Sequence, residues 1–250
     1  MQRTELFRGN HTWYVFGRDP DKLNDIIDTN QYLIVDSSGA TLLDPGGVET
    51  FSAMLAAVAT CCDIADIRYL FASHQDPDII SSLGLWDRAV PQAKLYAPWL
   101  WEGFIKHFGC RQIEYVSIPD EGMSLPLGAT RLDFIPAHYL HSSGNFHVYD
   151  RSARILMSGD IGAALEPPGS PMFVDNFSEH TSRMKLFHQR WMPSNKAKND
   201  WVRRVRELDI DIMAPQHGRL FRGDDVQRFL DWFEALEVGI AHRGGEQSAA

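Results

Sequence analysis

The sequence predicts the α/β class, and two sheets sandwiched between helices fit the order of its elements, an order that does not by itself establish the arrangement. Three observations predict the class. Short apolar segments of strand character come in sets, with helical periodicity before, between and after them. No linker rich in Pro, Gly or Ser and no internal repeat divides the chain, so residues 1–240 read as a single domain, with a small polar tail at 241–250 expected to be disordered. The composition, 44% hydrophobic and 23% charged over 250 residues, is ordinary for a globular chain long enough to bury a large core.

The elements follow in order. Thr12–Phe16 reads as a strand. Gln31–Asp36 and Ala40–Leu43 flank Ser37-Ser38-Gly39, a hairpin signal, and Asp44-Pro45-Gly46-Gly47 stops the second strand. Val48, Phe51, Leu55, Val58 and Cys62 recur at helical spacing. Ile67–Ala72 is a short apolar strand ending at Ser73-His74, and Pro98–Phe108 is expected to be a helix. Strands are expected near Ile113–Ile118, Ala129–Ile135, Asn145–Tyr149 and Ile155–Met157. A basic helical region runs from about Thr181 to Leu208, Ile210–Ala214 is a last strand, and Val226, Phe229, Leu230, Phe233 and Leu236 fall on one face of a final helix.

Composition also excludes function classes. A formal net charge of −9 argues against nucleic acid as a partner, which calls for a basic excess. No apolar run approaches the roughly 18 residues of a membrane span, and the first residues carry no secretory signal. Cys61, Cys62 and Cys110 make no disulfide framework, so a reducing cytoplasm is expected.

Four segments share one grammar, an apolar strand followed by a His or Asp at its end. They are Tyr69–Asp78 with His74, Asp76 and Asp78; Tyr139–Asn145 with His141; Leu156–Asp160 with Asp160; and Met213–Gly218 with His217. A strand end holds a side chain rigidly and leaves it open to a cleft, as a metal site requires. Imidazole and carboxylate together suit transition metals. Any one of these segments alone is an ordinary turn; the four in series read as a metal site.

On these motifs the sequence resembles the metallo-β-lactamase superfamily, whose fold is an αββα sandwich; the resemblance implies two mixed sheets flanked by helices. Its first signature is usually His-x-His-x-Asp-His. Here the second His position is Asp76 and the last is Ile79. An acidic residue at the former is similar to the His-x-Glu-x-Asp of flavodiiron proteins. The chain looks most like stand-alone oxygen-binding diiron proteins, which resemble the diiron half of flavodiiron proteins without the flavodoxin half. The resemblance implies two non-haem iron ions, with His74, Asp76 and His141 on one, Asp78 and His217 on the other, and Asp160 between them. It implies no FMN in this chain. The expected function is binding of dioxygen as a sensor or carrier. The alternatives are an oxygen or nitric oxide reductase fed by a separate electron-transfer partner, and a hydrolase of the metallo-β-lactamase type. Three neutral His and three anionic Asp agree with hard iron more than with nitrogen-rich zinc ligation.

Other features stand beside the motifs. His138 lies three residues before His141, and His147 six after, while Tyr139 adjoins the segment without a stated direction. Between Arg183 and Glu207 stand eight basic residues, Arg183, Lys185, Arg190, Lys196, Lys198, Arg203, Arg204 and Arg206, opposed in that stretch by Asp200 and Glu207. This reads as a solvated helix face or as a docking surface for an acidic electron-transfer or signalling protein. The oligomeric state stays open.

Overall fold

A computed structural model describes residues 1–17, 27–128, 130–167 and 169–243. The first sheet takes its strands in chain order: β1 (Gln2–Arg8), β2 (Thr12–Gly17), β3 (Asn30–Asp36), β4 (Gly39–Leu43), β5 (Ile67–Phe71), β6 (Lys94–Pro98) and β7 (Glu114–Ile118). β1 to β4 form an antiparallel meander, and β4 to β7 are parallel. Parallel neighbours need crossovers. These are α1 (Phe51–Val58), then α2 (Pro77–Ile80) and α3 (Leu83–Ala89), then α4 (Glu102–Ile105) between two 3-10 turns.

The second sheet contains β8 (Met123–Leu127), β9 (Thr130–Pro136), β10 (Phe146–Asp150), β11 (Ile155–Gly159), β12 (Ile212–Pro215) and β13 (Phe221–Arg222), in the order β13-β12-β11-β10-β9-β8. Only β11 and β12 pair in parallel there, joined through α5 (Phe177–Trp191) and α6 (Asn195–Val205), and α7 (Asp224–Ala235) follows β13.

Strand alternation builds the layers. Trp13, Val15, Tyr32, Ile34 and Phe71 of the first sheet meet Leu132, Phe134, Val148, Ile155 and Met157 of the second in a central core. The opposite faces carry Leu33, Leu42 and Leu70 against Met54, Val58, Leu83 and Trp86, and Tyr149 and Leu156 against Met184, Trp201, Phe229 and Phe233. The result is helix, sheet, sheet, helix, the arrangement that the resemblance implies.

Several elements differ from expectation. β1, β6, β8 and β13 are additional strands. Pro98–Phe108 is not one helix: it breaks into 3-10 turns around α4 and ends at Gly109, whose φ of 89° is left-handed. The basic region is two helices, because Pro193 cannot continue α5 and Ser194 caps α6 by accepting from the Ala197 amide. Ala129 of the strand expected near Ala129–Ile135 lies outside the described residues. Of the tail expected to be disordered, 241–243 belong to the 3-10 turn Ile240–Arg243 and 244–250 lie outside the described residues. Among the described residues, no helix is long and apolar enough to cross a membrane.

Candidate metal centre

One edge of the sandwich collects the loops that follow β5, β9, β11 and β12. Backbone bonds tie the sheets together there. The Phe146 amide donates to the Ser73 carbonyl at 3.1 Å, and the Asn30 amide to the Gln216 carbonyl at 2.6 Å. The Tyr32 hydroxyl donates to the Pro215 carbonyl at 2.6 Å. All six side chains singled out from sequence project from these loops into one cluster.

Asp160, at the end of β11, is its centre and is buried. Its Oδ2 lies 2.9 Å from His74 Nε2 and 3.5 Å from His141 Nε2. Its Oδ1 lies 3.0 Å from His217 Nε2. Asp76 Oδ2 is 2.6 Å from His141 Nε2 and 3.6 Å from His74 Nε2, whereas Asp78 Oδ2 is 3.3 Å from His217 Nε2. One ligand atom from each of His74, Asp76, His141 and Asp160 falls within 4.8 Å of the others. The cluster therefore has two lobes, and Asp160 turns one oxygen to each. Ile79, at the position where the superfamily usually has its last His, is buried in the core of the first sheet's helical face.

The local backbone is bent to deliver these groups. Tyr139 and His141 have φ of 61° and 70°, costly for non-glycine residues, and the Tyr139 amide is closed onto the Ser142 carbonyl at 2.8 Å. The turn sends His141 inward, against Trp191 at 5.0 Å between ring centroids, and leaves Tyr139 exposed. A cavity of about 500 Å³ opens over the cluster between Ile27, Phe187 and Trp191.

The imidazoles are held so that Nε2 faces inward. His217 Nδ1 donates to the Asp28 carbonyl at 2.8 Å. His74 Nδ1 meets Ser73 Oγ at 2.9 Å, and that hydroxyl donates to Asp44 Oδ2 at 2.9 Å. Ser73 Oγ must then accept from His74, which places the proton on Nδ1 and frees Nε2. Asp44 also accepts the Ser73 amide at 2.8 Å. Burial raises the Asp44 pKa to about 7, against the opposing pull of His74 and the Ser73 hydrogen bonds. From sequence, Asp44 reads only as a turn residue. It obeys the same strand-end grammar at the end of β4, and that signal could have found it.

Electrostatics within the cluster point to a cation. Burial works against charged His74 and His217, but Asp160 outweighs it, aided by Asp76 at the first and Asp78 at the second. The His74 pKa is raised well above its ordinary value and that of His217 to about 9. Asp160 is held far below the carboxylate range despite its burial, by His74 and His217. Asp76 is likewise lowered against burial by His141 and His74, while burial raises Asp78 against His217. Positive charge is thus demanded at the two Nε2 atoms, and a metal ion competes there with protons. His74 Nε2 and Asp160 Oδ1 have no well-formed hydrogen bond, although both are buried. Orphaned donor atoms converging at these distances, with a mixed His and Asp character, fit a metal pair.

The remaining histidines are placed elsewhere. His138 Nε2 donates to the Asp120 carbonyl at 2.8 Å, and His147 Nδ1 accepts from Trp201 Nε1 at 3.0 Å. His11 pairs with Asp150. The eight basic residues do not form one continuous free face. Lys198 is buried, with Nζ on the Phe233 and Glu234 carbonyls. Arg206 pairs with Asp231 and Glu234, Arg203 with Asp200 and Arg183 with Glu179, and Arg204 donates to the Pro136 carbonyl. Lys185, Arg190 and Lys196 are exposed.

Fold and site together define a metal-binding domain of the metallo-β-lactamase type. Known proteins refine this. The solved peroxy diiron species of the chemotaxis sensor ODP is 38% identical, with a TM-score of 0.85 over 96% of this chain and 97% of that one. The apo state of the chemotaxis sensor ODP from T. denticola is 37% identical at the same TM-score, over 96% of each chain. The flavodiiron protein from Giardia intestinalis shares the fold, with a TM-score of 0.81 at 20% identity over 94% of this chain and 59% of that one. The uncharacterized protein MJ0732 of Methanocaldococcus jannaschii is 22% identical over 212 residues, 81% of this chain and 52% of the relative. The chain thus spans about half the length of that curated relative. A family model described as ODP family beta lactamase matches residues 27–218, and the chain belongs to that family.

Proposed function

We propose that this protein is a non-haem diiron protein that binds dioxygen and serves as an oxygen sensor. His74, Asp76 and His141 would hold one iron, Asp78 and His217 the other, with Asp160 facing both. The observation that carries the reading is Asp160, whose two oxygens face two separate sets of donors. The likeness to a chemotaxis sensor over nearly the full length of both chains supports the sensor role. An iron pair held there would supply the electrons that dioxygen takes up on binding.

The chain's own residues prepare the site. Asp44 and Ser73 keep a proton on His74 Nδ1, and the Asp28 carbonyl keeps one on His217 Nδ1, so both Nε2 atoms stay available. Phe187 and Trp191 shield His141 from water. With Ile79 at the last His position of the motif, the site lacks a nitrogen donor on which a zinc hydrolase of this superfamily relies.

The test is metal analysis of protein purified with and without air, with absorption spectra before and after oxygen. A pair of irons per chain and a visible band that develops with oxygen and persists are expected. Stoichiometric zinc without iron, from iron-supplied cells, would overturn the metal assignment. Sustained NADH-dependent oxygen consumption by the purified chain alone would overturn the sensor in favour of a reductase.

A further inference from the structure

Asp76 is one methylene shorter than the Glu of flavodiiron proteins, and two neighbours constrain it. Gln75 Nε2 donates to Asp76 Oδ1 at 2.9 Å. Gln75 Oε1 in turn accepts from Ser142 Oγ at 2.7 Å. Ser142 is buried, and its hydroxyl lies a further 3.3 Å from the Gly144 carbonyl. The amide orientation is fixed by chemistry: an ionised carboxylate only accepts, so the nitrogen must face Asp76 and the oxygen Ser142. The chain Ser142–Gln75–Asp76 therefore joins the loop that carries His141 to the loop that carries His74. It occupies Oδ1 and leaves Oδ2, the oxygen 2.6 Å from His141 Nε2 and 3.6 Å from His74 Nε2.

The geometry points to Gln75 and Ser142 as positioning residues that hold Asp76 to metal ligation through Oδ2 alone. The inference rests on the reading of Asp76 as a ligand given above. A carboxylate that binds through one oxygen takes one coordination position, whereas a chelating one takes two. The clamp thus preserves a position for a small exogenous ligand on the ion that His74 and His141 hold. It also explains how a short Asp serves here: Gln75 fixes the arm that Glu would supply by length.

The test uses the full chain, loaded with iron(II) without air, as wild type and as Gln75→Leu, Ser142→Ala and Ser142→Thr. Carboxylate stretching bands, assigned with ¹³C-labelled aspartate, report one-oxygen against chelating ligation. Mössbauer spectra report the two irons separately, and titration reports affinity. Wild type and Ser142→Thr are expected to show the wide band splitting of one-oxygen ligation. Gln75→Leu and Ser142→Ala are expected to narrow that splitting, to alter the signal of one iron, and to weaken iron(II) binding at that position about tenfold to a hundredfold. An effect on stability alone would leave the splitting and the Mössbauer signal untouched. Wild-type bands in folded, iron-loaded Gln75→Leu would overturn the clamp and leave the diiron reading standing. If Gln75→Leu does not fold, unchanged bands in Ser142→Ala would overturn it equally. Wild-type protein that takes up no iron would overturn the diiron reading itself, and the clamp with it.

Discussion

At the scale of single residues, Asp160 and Asp44 show what a strand end does. Asp160 faces both lobes of the cluster, so Asp160→Ala is expected to lower occupancy of both metals together. His74→Ala is expected to empty one first, because His74 approaches only Oδ2. Elemental analysis of folded protein checks this, and loss of a single metal in both variants would contradict the bridge. Asp44 acts through Ser73. Asp44→Ala leaves the buried Ser73 amide and hydroxyl without their acceptor, at a cost of about 2 kcal/mol. It also releases the proton position on His74, so weaker iron binding should accompany a lower urea midpoint. The six clustered residues were legible in sequence because each follows an apolar run that fixes where it stands. Asp44 was less so, since Pro45-Gly46-Gly47 behind it gives the same letters as an ordinary turn. Gln75 and Ser142 were not legible at all, because the chain Ser142–Gln75–Asp76 exists only once loops 67 residues apart in sequence meet.

At the scale of elements, the edge strands β1 and β8 were not readable, nor was β6 inside the first sheet, whereas the edge strand β7 was. β1 exposes most of its residues, and its sequence QRTELFR lacks an apolar run. β8 carries Pro126, which the sheet tolerates because β8 is the last strand of its order. A helix of basic residues read as a solvated face hides a different use of Lys198. Its stem crosses the buried interface with α7, and its ammonium caps the Phe233 and Glu234 carbonyls at 2.6 Å each. Helix C-termini leave such carbonyls unpaired, and a cation satisfies them. Lys198→Met keeps the stem and removes the charge. It is expected to cost about 1–3 kcal/mol, seen as a lower urea midpoint with unchanged slope. An exposed neighbour, Lys196→Met, is expected to change stability by no more than about 0.5 kcal/mol.

At the scale of the whole molecule, the two sheets are fastened at both ends of β10. At the end away from the metal cluster, Asp150 accepts from Trp13 Nε1 at 2.8 Å and meets His11 Nε2 at 2.5 Å, reaching from the second sheet to the first. Burial opposes its ionisation, but the bonds from His11 and Trp13 outweigh burial and hold its pKa below the usual carboxylate value. Its contribution to stability is therefore complete above the unfolded-state carboxylate pKa, about 3.9, and is lost as pH falls through the lower folded value. Asp150→Asn is expected to flatten that acid limb in thermal melts below about pH 4 and to lower stability at neutral pH. The other end depends on metal. His74, Asp76 and Asp78 follow β5 of the first sheet, while His141, Asp160 and His217 follow strands of the second, so each lobe draws donors from both sheets. A metal that binds this folded cluster and not the unfolded chain stabilises by mass action, by about 2.7 kcal/mol at a hundredfold excess over Kd. For a domain of this size that raises Tm by roughly 5–10 °C. Chelation should remove the gain and speed hydrogen exchange at the ends of β5, β11 and β12 together, since one cluster restrains all three. Asp160→Ala should already sit at the chelated Tm and respond little to added iron. A chelated wild type that melts at the iron-loaded temperature would mean that the sheets hold this edge by the Phe146–Ser73, Asn30–Gln216 and Tyr32–Pro215 bonds alone.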